Sequence, residues 1–128
     1  MVEMMDIGID NAVAFRMWGK VTESDVSLIL SDAKEKINRY GNIVFLEVVE
    51  SFEGIEIAAL IEEFKYLFEV GISNISKVAL VTDKEWMKEI ANIKGKIFRS
   101  IQMKCFSTED RDIAIEYLKI DDQSKSED

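Results

Sequence analysis

The residues with the clearest chemical potential cluster around one serine, in the stretch VFLEVVESFEGIEIAAL. Glu47, Glu50, Glu53 and Glu56 surround Ser51 there, and paired carboxylates can work as acid and base or hold a hard cation. Their spacing matches no EF-hand, and no nearby group would drive two of these acids to different pKa values, so they read as a solvated acidic rim. Cys105 follows Lys104, which would favour thiolate if both faced one space. Neighbours in a strand point to opposite faces, however, and the thiol is expected to be buried and inert.

A third group is basic. Trp86, Ile90, Ile93 and Ile97 recur at helical spacing, widened by Met87, Ala91 and Phe98 and flanked by Lys84, Lys88, Lys94, Lys96 and Arg99. A basic amphipathic helix carrying a tryptophan can lie on an anionic membrane or grip a partner. The same stripe can equally do no more than cover a sheet.

Composition removes several reaction classes. The chain has no histidine, so Ser-His and Cys-His pairs and a histidine base are excluded. With one cysteine, a zinc site of the usual composition and an internal disulfide are excluded too. Neither a dinucleotide nor a P-loop glycine pattern occurs, and no cofactor is expected. The net charge of −9 argues against nucleic acid, although the window from Lys84 to Lys104 is itself positive. The acidic N-terminus, the lack of a long apolar run and the single cysteine lead us to expect a cytoplasmic protein.

The elements that must position these groups alternate. Two opening strands, VEMMDIGI and AVAFRMWGKV, are predicted to form a hairpin about the turn DNA. A helix follows, with Thr22 as cap, Glu23 and Asp25 in the first turn, an apolar stripe of Val26, Ile29, Leu30, Ala33 and Ile37, and Gly41 as stop. IVFLEVV reads as a strand covered on both faces, the segment 57–70 as a helix, KVALVT as a second buried strand and 83–98 as a further helix. SIQMKCF is a last strand, and STEDRDIAIEYLKI a last helix capped by Ser107 or Thr108. The fold class is therefore α/β: one domain over residues 1–120 and a polar, frayed tail over 121–128. It has a mostly parallel four- to five-stranded sheet with an N-terminal hairpin and about four helices.

The segments AFRMWGKVTESDV, SFEGIEIAALIEEFKYLFE, ISKVALVTDKEW and MKCFSTEDRDIAIEYL resemble the SpoIIAA-like family, small domains similar in fold to STAS domains and anti-sigma-factor antagonists. The most specific likenesses are a G-K-x-T turn (Gly19, Lys20, Thr22), an F-E-G turn (Phe52, Glu53, Gly54) and an A-x-V-x-D…W segment (Ala79, Val81, Asp83, Trp86). The resemblance implies an apolar space between helices and sheet, linked with hydrophobic ligands and membrane association. Two family features are missing: Ile55 stands where tryptophan is common, and no histidine follows EEFK. Anti-sigma-factor antagonists carry a phosphorylated serine in D-S-[ST]-G. Here Ser51 is out of register, too far before Gly54, and Glu53 lies nearest the second hydroxyl. Glu53 could mimic only part of a phosphate's charge.

The leading functional expectation is a non-enzymatic domain that holds a hydrophobic or lipid-like molecule. Phe52, Ile57, Ile61, Phe64, Phe68, Trp86, Ile90 and Ile93 would line the site, and Lys84, Lys88, Lys94, Lys96 and Arg99 would make peripheral membrane contact. The alternative is a STAS-type protein-interaction module that uses Ser51, Glu53 and Glu56 as its partner surface, without the usual phosphorylatable motif. Monomer and homodimer both remain open.

Overall fold

The computed structural model describes residues 1–50, 54–55, 74–83 and 102–120. Five strands, β1 (Val2–Met5), β2 (Ala12–Met17), β4 (Ile43–Val49), β6 (Ile75–Thr82) and β7 (Gln102–Phe106), form one sheet in the order β1-β2-β4-β6-β7. Only the β1–β2 pair is antiparallel. A second small sheet joins β3 (Lys20–Val21) to β5 (Gly54–Ile55) in parallel. Helices α1 (Glu23–Tyr40) and α2 (Arg111–Lys119) are the two α-helices among the described residues. The helices expected over 57–70 and 83–98 lie almost wholly outside those residues, as does the tail.

The pleat divides the core in two. Val13, Phe15, Phe45, Val49, Val78 and Leu80 pack on one face with Val26, Ile29, Leu30 and Ala33 of α1. Ala12, Ala14, Val44, Leu46, Val48, Ala79 and Val81 pack on the other with Ala114 and Leu118 of α2. Every residue of β4 is buried, because it is the middle strand and both of its faces are covered.

The predicted start and stop of α1 are both present. The Thr22 hydroxyl accepts from the Asp25 amide at 3.3 Å and the Asp25 carboxylate accepts from the Thr22 amide at 2.9 Å, a complete capping box. Gly41 ends the helix at φ +84°, and its amide donates to the Ile37 carbonyl. Ile37 packs on the core but is only partly buried.

Three local expectations need correction. The hairpin turns not at Asp10–Ala12 but over residues 6–11, because the Asp6 carboxylate accepts from the Gly8 amide at 2.9 Å and the Ala12 amide donates to the Ile9 carbonyl. The second strand does not run on to Val21: it stops at Met17, and Gly19, at φ +66°, turns the chain into β3. The last helix is entered through a short 3-10 turn, Thr108–Asp110, and the Ser107 hydroxyl donates to the Asp110 carboxylate rather than accepting from a backbone amide.

One irregularity places a charge inside the protein. Between β4 and β6 the register slips, so that Ile43 pairs with Ile75 and Val44 with Lys77. Ser76 is the extra residue of the bulge. It sends Ile75 to the α1 face and turns Lys77 under α2, where the lysine is only 1% exposed.

Candidate functional site

The carboxyl end of the sheet collects the segments that looked most specific in the sequence. Lys20 of the G-K-x-T turn pairs with Gly54 of the F-E-G turn, and Val21 pairs with Ile55. Just before them, the Glu50 amide donates to the Met17 carbonyl at 3.0 Å, extending the β2–β4 ladder by one bond. The chain is thus held at Glu50 and again at Gly54. Ser51, Phe52 and Glu53, between those anchors, lie outside the described residues.

Arg16 organises the surface beside this anchor. Its guanidinium bridges Glu50 at 3.0 Å and Glu3 at 3.2 Å, and it stacks over the Trp18 ring at 4.7 Å. Each of these exposed ion pairs is weak alone, at about 0.2–1 kcal/mol. A planar guanidinium fixed by two carboxylates and an indole still has few orientations left. At the same end the Thr82 hydroxyl donates to the Val49 carbonyl at 3.1 Å, tying the tip of β6 to that of β4. Ligand sites of open parallel sheets commonly lie beyond the carboxyl ends of the strands.

The α1 cap borders this region. Burial raises the pKa of Asp25, but the Thr22 amide and hydroxyl and the terminal ammonium of Met1, 3.4 Å away, outweigh it and hold the carboxyl below its usual range.

The acidic cluster does not act as one solvated rim. Glu50 is on the surface with Arg16, whereas Glu47 is only 4% exposed, on the face of β4 that packs against α1. It sits in a cross-strand row of Met4, Phe15, Glu47, Leu80 and Cys105. Alternation along β4 puts it on the face of Phe45 and Val49, and β4 is the middle strand, buried along its whole length. Cys105 points to the α1 face, away from Lys104, which reaches over the Phe106 and Tyr117 rings on the other face. Burial first and the Glu47 charge second push the thiol pKa up.

The expected ligand-lining residues (Phe52, Ile57, Ile61, Phe64, Phe68, Trp86, Ile90 and Ile93) lie outside the described residues. So do the basic set (Lys84, Lys88, Lys94, Lys96 and Arg99) and the remaining surface residue Glu56. The segments that carry them begin at the carboxyl ends of β4 and β6. Among the described residues, no group of acids and cysteine is placed to hold a metal ion, and no helix is long and apolar enough to cross a membrane.

A feature that sequence reasoning missed lies at the opposite end of the sheet. A cleft of about 550 Å3 is lined by Gly8, Asn11, Asn42, Ser76, Lys77 and Ile120, among others. The Lys77 ammonium donates to the carbonyls of Tyr117 at 3.2 Å and Ile120 at 2.5 Å, and lies 4.9 Å from the Tyr117 ring. It therefore caps the negative end of α2. The available signal was one lysine inside ISKVALVT, an otherwise apolar strand.

A family model described as SpoIIAA-like matches residues 12–119. Among solved structures, an uncharacterized protein of the DUF3478 family with a SpoIIAA-like fold, from Shewanella loihica PV-4, superposes with a TM-score of 0.66. It is 21% identical, and the match covers 92% of each chain. No curated protein matches.

Proposed function

The chain belongs to the SpoIIAA-like family, and from that premise we propose that it is a non-enzymatic interaction module that presents the carboxyl end of its sheet to a protein partner. The family fold fits such a role, and the histidine-free composition removes the commonest general base. The observation that carries the reading is the double anchoring of the F-E-G turn. Glu50 is tied into the β2–β4 ladder and by Arg16, and Gly54 and Ile55 are tied to Lys20 and Val21. A short segment fixed at both ends loses little conformational entropy on binding, which is what a recognition loop needs.

The partner surface consists of Glu50, Glu53 and Glu56 with Ser51 between them, and it suits a basic partner. Glu53 supplies a fixed charge, so recognition does not require phosphorylation of Ser51. In a pull-down from the native host, replacing all three glutamates with glutamine should release a stoichiometric partner. Retention of every partner by that variant overturns this surface as the interface.

A second reading rests on the sheet's outer strand. Met103 and Cys105 extend the α1-side apolar face to β7 and are only partly buried. An apolar or lipid-like molecule held there, between the sheet and the segments 57–68 and 86–93, would complete that burial. Peripheral membrane contact through Lys84, Lys88, Lys94, Lys96 and Arg99 would accompany it. Native mass spectrometry of protein purified without detergent, with sedimentation against anionic liposomes, tests this reading. Absence of a co-purifying mass together with absence of salt-sensitive sedimentation removes it.

A further inference from the structure

We propose that the outer edge of β1 receives an extended segment of a protein partner in which apolar and basic residues alternate, paired antiparallel as a further strand of the main sheet. The inference does not rest on the surface of Glu50, Glu53 and Glu56, because the contacts are made by backbone groups of β1.

Hydrogen-bond parity along the hairpin fixes which groups are available. β1 is an outer strand of the main sheet, with β2 on one side and no described strand on the other. The Trp18 amide donates to the Met1 carbonyl at 3.1 Å and the Met1 nitrogen donates to the Trp18 carbonyl at 2.9 Å, so this pair exchanges both of its bonds. Bonded and non-bonded pairs alternate in an antiparallel ladder, and the next bonded pairs are Glu3–Arg16 and Met5–Ala14. The amides and carbonyls of Val2 and Met4 therefore point outward, where no described residue bonds to them. An edge of that kind is a template for another strand. Val2 and Met4 are also only partly buried, whereas their partners on β2, Met17 and Phe15, are 8% and 2% exposed.

Side chains choose the occupant. Val2 and Met4 extend the α1-side core, so apolar residues set opposite them would complete that burial. Asp25, Leu28, Asp32 and Lys36 form one row of α1. That row is held toward the hairpin at both ends, where Asp25 lies 3.4 Å from the Met1 nitrogen and Lys36 donates to the Ala12 carbonyl at 2.7 Å. Leu28, 53% exposed, is the apolar member of the row and offers a ledge beside the edge. Glu3 projects from the other face. It shares Arg16 with Glu50, so two carboxylates meet one guanidinium and a negative charge remains for a lysine or arginine set opposite Glu3. A second copy fits worse. The antiparallel register that pairs Val2 with Met4 at both positions sets one Glu3 directly against the other, and like charges placed so are destabilising.

The test is NMR of the full 15N-labelled chain, titrated with a capped peptide of alternating valine and lysine. The amides of Val2 and Met4 should shift saturably and become protected from hydrogen exchange. Methylating the valine nitrogens of the peptide should abolish binding, because in the bonded pairs they face β1, whereas methylating its lysine backbone nitrogens should leave binding intact. Glu3→Gln should weaken binding by about two- to fivefold. Met4→Pro should abolish it while keeping the β1–β2 bonds, since the lost amide points outward. No saturable shift at β1 overturns the proposal. So does equal binding by the valine-methylated peptide, or by a peptide of alternating valine and glutamate. Shifts of Val2 and Met4 on raising the concentration of the chain alone would also overturn it, because the edge would then be taken by a second copy.

Discussion

Glu47 and Cys105 occupy one cross-strand row with only Leu80 between them, and the glutamate's charge adds to burial in raising the pKa of the thiol. The thiol should therefore react with iodoacetamide more slowly at pH 8 than an unstructured cysteine, because less of it is thiolate. Glu47→Gln removes the smaller of the two causes, so alkylation should quicken by less than about tenfold. An unchanged or slower rate would show that the glutamate does not act on the sulfur.

Arg16 and Glu50 offer a measure of how firmly the chain is anchored at the carboxyl end of β4. A double-mutant cycle of Arg16→Met and Glu50→Gln, read by urea unfolding, should return a coupling of about 0.3–1 kcal/mol, reduced in high salt. A coupling of zero would remove this ion pair from the anchor and leave the β3–β5 pairing to hold it.

Thr22→Ala deletes one half of the α1 capping box and should cost about 1 kcal/mol of stability. Asp25 then gives a pH signature. Its folded pKa is depressed, so its contribution is present above the unfolded value of about 3.9 and is lost as pH falls through the lower folded value. Asp25→Asn should accordingly flatten the acid limb of stability against pH, which chemical denaturation at stepped pH would record. An acid limb as steep as that of the native chain would count against the assignment.

Gly41 has open space around the position of a Cβ and a φ of +84°, so Gly41→Ala isolates the backbone cost of that conformation. The expected loss is about 1–2 kcal/mol by thermal or urea unfolding. A neutral result would mean that the turn after α1 relaxes to negative φ.

Much of the fold was legible before the structure. The apolar run IVFLEVV could be assigned to a central strand because no amphipathic exterior strand lacks a polar face. The period of Val26, Ile29, Leu30 and Ala33 marked the buried side of α1, and Thr22 and Asp25 marked its start. The site was less legible. Alternation correctly separated Lys104 from Cys105, yet the glutamates looked like one solvated group until the sheet order put Glu47 under α1 and Glu50 on the surface with Arg16. Nothing near Lys77 in the chain announces Tyr117 or Ile120, its carbonyl partners.

By itself the sequence determined the order of the five strands of the main sheet and of α1 and α2 along the chain, the faces within most of them and the cap of α1. Those properties arise between residues two to four apart, where backbone geometry dictates which side chains meet. Tertiary structure alone decided that Ser76 bulges and turns Lys77 inward, that Lys20 pairs with Gly54, and that Arg16 gathers Glu3 and Glu50. Each depends on strand order and register, which are set by how the whole sheet buries its two faces and not by any local pattern.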